Sequence, residues 1–159
     1  MLNGHKHALF ILVRNLVDNA IRYSYADQDV KIVIKNQDDS LILEIIDYGP
    51  GLSEDSKKRV FERFYREIGN NENGSGLGLN IVQQIAKLHQ ANVELLNHDI
   101  GSGLIVHLTF PLADWDSGKI WRKFFYLLLN AFARNYITDS WSSLHLSLIH
   151  ISEPTRLSG

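Results

Sequence analysis

At 159 residues the chain has room for one domain with a sizeable core and a short appendage. A net charge of −2 carries no electrostatic footprint for nucleic acid, and the absence of cysteine excludes disulfides, thiolate metal sites and a cysteine nucleophile. "MLNGHKHALF" is too polar for a secretory leader, and "FFYLLLNAFA" (124–133) falls short of the roughly 20 residues a membrane helix needs, so the chain reads as soluble and not membrane-spanning.

In chain order, His7–Ser24 reads as a helix: Leu9, Leu12, Val13, Leu16 and Ala20 recur at three- and four-residue spacing, and Asn15, Asp18, Asn19 and Arg22 share another face. "DVKIVIK" and "LILEIID" read as two strands separated by the turn formers "NQDDS". Asp47 ends the second strand, where "YGPGLS" breaks the chain. A short helix is expected over Ser53–Glu62 with Ser53 as N-cap, then a polar glycine- and asparagine-rich loop over 66–76. The next helix presents Ile81, Val82, Ile85 and Leu88 as its apolar face. "VELLN" and "LIVHLTF" follow as strands joined by "DIGSG", and Pro111 closes the periodic region near residue 112. Hairpin-joined strands with helices on separate stretches predict an α+β, two-layer α/β sandwich, with a mixed sheet covered on one face by helices.

Beyond it, 113–145 reads as a C-terminal extension whose authenticity is open and to which no function is assigned. The end, 146–159, contains "LSLIHISEPTR", which resembles one reading frame of a transposase-based sequencing-library adapter. It is set outside the domain as an assembly artefact.

Three polar features carry chemistry. "NGSGLGLN" places Gly74, Gly76 and Gly78 before a helix, but no strand precedes them and no Lys-Ser/Thr follows. The dinucleotide fingerprint and the P-loop therefore both fail. Two readings stand: an anion-binding turn at a helix N-terminus, or a glycine-rich linker. On the first helix, Asn15 and Asn19 are one turn apart with Arg22 beyond. Such a ridge is either a solvated face or a set of amide oxygens for Mg²⁺, and asparagine is a poor helix former that needs a reason to recur. "DYGPG" is either an ordinary turn or a carboxylate aimed at a ligand amino group, with glycines admitting the ligand to the backbone.

Taken together and in this order, "NLVDNAIRYS", "DYGPG", "FERFYR" and "GSGLGL" resemble the N, G1, F and G2 boxes of bacterial two-component sensor histidine kinases, over roughly residues 5–112. "VRNLVDNAIRYS" and "SGLGLNIVQQIAKLH" look particularly like the quorum- and hormone-responsive sensor kinases of proteobacteria. The resemblance implies the Bergerat ATP-binding fold of the GHKL superfamily, shared with type II topoisomerases, heat-shock chaperone ATPases and mismatch-repair proteins. It implies a catalytic domain over 1–112 with ATP and Mg²⁺ as cofactors. Asn15 and Asn19 would hold Mg²⁺ and the phosphates, Arg22 would support the phosphates, and Tyr23 would lie beside the adenine. Asp47 would read the adenine amino group, with Gly49, Gly51 and Leu52 shaping the pocket. Phe61 and Phe64 would anchor a lid from which Arg66 reaches the γ-phosphate. Gly74, Ser75, Gly76 and Gly78 would let that lid fold over the triphosphate, and Leu77 and Leu79 would bury the start of the following helix.

ATP-hydrolysing relatives carry a glutamate as general base where this chain has Asn15, and an amide takes no proton near neutral pH. That favours a protein histidine kinase over the alternatives: an ATPase or serine kinase of the same fold, or a nucleotide-binding fragment inactive on its own. Only His98 is followed by an acid, and it sits at a hairpin. The phosphoacceptor histidine is therefore expected on a separate dimerisation domain upstream, with a response regulator downstream. This part would be cytoplasmic and its parent would lie in the bacterial inner membrane.

Overall fold

The apolar stripe near the N-terminus forms the spine of the fold. In the structure, a computed structural model that describes residues 2–26, 28–37, 39–65, 76–98, 102–111 and 147–152, helix α1 spans Leu2–Tyr23. It begins before the predicted His7, because apolar periodicity marks only the packed turns while backbone hydrogen bonding continues past them. Leu9, Leu12, Val13, Leu16, Val17 and Ala20 are buried, each Leu or Val contributing about 1.5–3 kcal/mol of burial free energy.

The stripe lies on a sheet whose strands run in the order β3 (Asn92–Asn97), β4 (Leu104–Pro111), β2 (Ser40–Ile46), β1 (Lys31–Gln37) and β5 (Ser147–Ser152). Strands β1 (Lys31–Gln37) and β2 (Ser40–Ile46) form the first hairpin, pairing Lys31 with Ile46 through Gln37 with Ser40. Strands β3 (Asn92–Asn97) and β4 (Leu104–Pro111) form the second, and β4 also runs antiparallel beside β2, with Glu44 opposite His107. Alternation places Ile32, Ile34, Leu41, Leu43, Ile45, Leu104, Val106, Leu108 and Phe110 in the core with the α1 stripe.

The backbone of Ser147–Ser152, set outside the domain on sequence grounds, is a further strand, β5, parallel to β1 with a register shift between Ile32 and Ile34. An open β1 edge offers unpaired N–H and C=O groups to any extended apolar segment.

Between the hairpins lie helices α2 (Glu54–Arg59) and α3 (Gly78–Leu88). Ser53 caps α2 as expected, its hydroxyl accepting from the Ser56 N–H at 3.1 Å. The helix stops at Arg59 instead of Glu62, because the chain turns there and Phe64 takes φ +65°. Helix α3 packs on α1 but corrects the predicted face: Leu88 is 63% exposed, while Val82, Ala86 and His89 are buried. Val82, Ala86 and His89 recur at four- and three-residue steps, which keeps them on one side of a helix and turns Leu88 away. The His89 ring is tolerated inside because its Nδ1 lies 2.7 Å from the Ile85 carbonyl.

Candidate functional site

The last turns of α1, the exposed part of the sheet's core face and the start of α3 enclose a cavity of about 320 Å³, within the range of small-molecule sites. Its floor is apolar: Ile45, Leu104 and Val106 rise from β2 and β4, and Leu16 and Ala20 close the α1 side.

A buried carboxylate stands at this apolar floor. Asp47, 6% exposed, follows β2 directly. Its Oδ1 accepts from the Gly49 N–H at 3.0 Å and from the Leu104 N–H at 3.1 Å. Both bonds fall on the same oxygen, and Oδ2 has no hydrogen-bond partner among the described residues. Burial pushes the Asp47 carboxyl above the usual carboxylate range, and the two N–H groups oppose that only in part.

Two glycines make this turn possible. A Cβ at Gly49 would stand 2.0 Å from the Tyr23 carbonyl oxygen at the end of α1, and a Cβ at Gly103 would stand 2.2 Å from the Asp47 carbonyl oxygen. Gly103, at φ +140°, also lets Leu104 reach Asp47 twice: its N–H bonds the side chain and its carbonyl accepts from the Asp47 N–H at 2.9 Å. Gly49 thus stands behind the site without lining the cavity, while Gly51 and Leu52 line it.

The opposite wall is amide-rich. Asn15, Asn19, Arg22 and Tyr23 all line the cavity from α1. Asn15 Nδ2 donates to the Ile11 carbonyl one turn back at 2.8 Å, which commits its donor to the helix and turns its oxygen outward. A Cβ at Gly78 would lie 3.1 Å from Asn15 Oδ1 and 3.5 Å from Asn19 Nδ2, so the start of α3 abuts the amide pair. The first-turn N–H groups of α3 have no intrahelical acceptor, and Leu77 caps the helix with no side-chain bond. A helix N-terminus beside two amide oxygens suits an anion and a hard cation together.

Gly76, Gly78 and Leu79 line the cavity, and Leu79 also packs on the core. Phe61 is half-buried and its carbonyl accepts from Asn80 Nδ2 at 2.8 Å, tying the segment after α2 to α3. The Phe64 ring is 68% exposed and away from the cavity; its backbone N–H donates to the Gly76 carbonyl at 3.0 Å. Arg66, Gly74 and Ser75 lie outside the described residues.

Sequence reasoning missed several lining residues. Asp18, 3.6 Å from Arg14, lines the cavity beside the asparagines, and its helical spacing already placed it on their face. Pro50, Val60 and Tyr65, on either side of α2, also line the cavity. No short-range pattern identifies them, because their place at the cavity depends on how the segments flanking α2 return to the site. Gly103 is legible only as half of a turn, since its partner Asp47 is distant in sequence.

The family model described as histidine kinase-, DNA gyrase B-, and HSP90-like ATPase matches residues 4–114. Among curated relatives, Sensor protein QseC of Escherichia coli is 47% identical over 98 residues, covering 62% of this chain and 21% of that protein. Sensor protein kinase PmrB of Pseudomonas aeruginosa is 37% identical over 109 residues, covering 68% of this chain and 23% of that protein. This chain therefore spans about a fifth of the length of such relatives. Among solved structures, the mycobacterial sensor histidine kinase MprB superposes with a TM-score of 0.63 at 32% identity, covering 66% of this chain and 72% of that one.

Proposed function

This chain belongs to the histidine kinase-, DNA gyrase B- and HSP90-like ATPase family, as a catalytic domain of the sensor histidine kinase type, and from that premise we propose that it binds Mg-ATP and donates the γ-phosphoryl group to a histidine on a separate dimerisation domain. The observation that carries the reading is Asp47: a buried carboxylate with Oδ1 fixed by two backbone N–H groups and Oδ2 left for a ligand donor. The exocyclic amino group of adenine is such a donor, and guanine presents a carbonyl oxygen there instead. The apolar floor then takes the purine ring, with Tyr23, Gly51 and Leu52 around it.

At the other end, Asn15 and Asn19 supply amide oxygens for Mg²⁺, Arg22 supplies a cation for the phosphates, and the start of α3 supplies N–H groups. When bound, Mg²⁺ neutralises phosphate charge as the phosphoryl group leaves. Asn15 is the residue that decides the acceptor. An amide cannot deprotonate water, so the γ-phosphoryl is kept for an external nucleophile. From that histidine it passes to a response-regulator aspartate, which places the reaction in two-component signalling. Among the described residues no helix is long and apolar enough to cross a membrane. The domain works on the cytoplasmic side of a larger bacterial inner-membrane parent, which also supplies the dimerisation domain.

Titration calorimetry with Mg-ATP and Mg-GTP tests the reading directly. Expected are saturable Mg-ATP binding, a much weaker response to GTP, and negligible ATP hydrolysis by the chain alone. Equal binding of the two nucleotides would remove Asp47 as the base reader. Steady hydrolysis of several turnovers per second would restore the ATPase alternative.

A further inference from the structure

The turn that carries Asp47 is held unevenly. Its first residues are fixed several times over. The Asp47 N–H donates to the Leu104 carbonyl at 2.9 Å, the Gly49 N–H bonds Asp47 Oδ1, and the Tyr48 N–H donates to Ser24 Oγ at 3.3 Å. Its last residues, 50–52, make a single hydrogen bond among the described residues: the Leu52 carbonyl accepts from Asn97 Nδ2 at 3.2 Å. Pro50, Gly51 and Leu52 all line the cavity, and Asn97 does not. Gly51 takes φ +73°, and a Cβ there would stand 3.2 Å from the Gly103 carbonyl oxygen and 3.5 Å from Asn97 Oδ1, so this backbone lies against the β3–β4 hairpin. Asn97 is the register partner of Leu104, and the His98 N–H closes the hairpin onto the Gly103 carbonyl at 3.1 Å. One rung of the ladder therefore grips both ends of the turn, Leu104 at Asp47 and Asn97 at Leu52.

We propose that Asn97 is a positioning residue for the base end of the site: acting through the Leu52 carbonyl, it holds the wall formed by Gly51 and Leu52 at a fixed separation from Asp47. The inference rests on the Mg-ATP reading of the cavity. The stretch does not hold itself, because Gly51 has no side chain, Pro50 is exposed and has no N–H to donate, and Leu52 alone packs on the core. An exposed asparagine at a strand end is ordinarily solvated, yet this one reaches a carbonyl 45 residues earlier in the chain. That bond adds no contact to a ligand. It orders one wall of the pocket relative to the carboxylate before the ligand arrives, so that binding does not bear the cost of ordering it. A hydrogen bond from the base to Asp47 demands direction, whereas apolar contact with the floor does not, so loss of the wall falls first on base reading.

The test is calorimetry on the full chain with Mg-ATP and with the Mg complex of purine riboside triphosphate, which lacks the 6-amino group, alongside thermal melting without nucleotide. The wild-type chain should prefer Mg-ATP. Asn97→Ala and the near-isosteric Asn97→Leu, which keeps the size and removes the donor, should each weaken Mg-ATP about three- to tenfold, on the scale of one net hydrogen bond. Binding of the analogue should change by less than about twofold and Tm should move little, so the preference for the amino group narrows. An unchanged preference in both variants would overturn the proposal while leaving the Mg-ATP reading intact. Equal losses for the two nucleotides, or a loss matched by a fall of several degrees in Tm, would also overturn it, in favour of a purely structural role. A wild-type chain that binds the two nucleotides equally would remove Asp47 as the base reader, and one that binds no Mg-ATP would overturn the reading of the cavity; either takes this inference with it.

Discussion

Glu44 and Asp47 stand three residues apart at the end of one strand and meet opposite electrostatic fates. Burial pushes both carboxyls upward. On the face of the sheet away from the helices, Glu44 receives Lys35 Nζ at 3.0 Å on one oxygen and His107 Nδ1 at 3.1 Å on the other. Those bonds outweigh burial, and its carboxyl lies below the usual value. Asp47 receives two neutral backbone N–H groups on one oxygen and nothing on the other among the described residues, and its carboxyl stays above the usual value. The first is a satisfied group that steadies the sheet. The second is held in an incomplete state that a ligand can finish, and this marks a binding carboxylate more sharply than burial does.

The largest expected effect breaks the comparison at its functional end. Asp47→Ala should lower Mg-ATP affinity by on the order of 100-fold, the scale of a lost hydrogen bond to a charged group with its partner stranded, as calorimetry would register. Near-wild-type binding would return Asp47 to the status of an ordinary turn residue. Next comes the phosphate end: Asn19→Ala should weaken Mg-ATP by about tenfold, with a smaller effect on nucleotide measured without Mg²⁺. An equal loss with and without the ion would separate Asn19 from the metal.

Stability against pH tests the two carboxylates directly, and the signs differ. For Asp47 the folded pKa is raised, so the penalty of its buried charge is absent below the unfolded pKa and complete above the folded one. Asp47→Asn should therefore melt no lower than wild type at neutral pH, with any advantage vanishing on acidification, even as nucleotide binding is lost. For Glu44 the folded pKa is lowered, so its stabilisation is complete above the unfolded value and is lost as pH falls through the folded one. Glu44→Gln should cost about 0.5–1.5 kcal/mol at neutral pH and progressively less in acid, with Mg-ATP affinity within about twofold of wild type. The same sign for both variants in melts between neutral and acidic pH would refute the contrast. The smallest effect is expected from removing residues 113–159: a chain ending at 112 should keep its Mg-ATP affinity, because among the described residues none that lines the cavity lies beyond Val106. A marked loss would draw that region into the domain.

Much of the layout was legible because short-range periodicity is a strong signal. The α1 stripe, the alternation of β4 and the Ser53 cap each follow from spacing within a few residues. The end of α3 was less legible, since both Leu88 and His89 fit a helix and only the angle at which α3 meets α1 decides which of them is covered. The site divided in the same way. Asn15, Asn19 and Arg22 share a face by helical spacing alone, and the tertiary structure placed that face on a cavity.

What the sequence determined by itself was the identity of each chemical group and its local presentation: amides one turn apart, a carboxylate at a strand end, glycines before a helix. Only the tertiary structure decided that Gly103 packs behind Asp47, that one carboxylate oxygen is satisfied while the other has no described partner, and that the Tyr65 hydroxyl meets Ser56. The reason is distance along the chain. Local pattern fixes what a residue presents within its own turn or strand, whereas pairing an Asp47 with a Leu104 requires the sheet to bring β2 and β4 side by side.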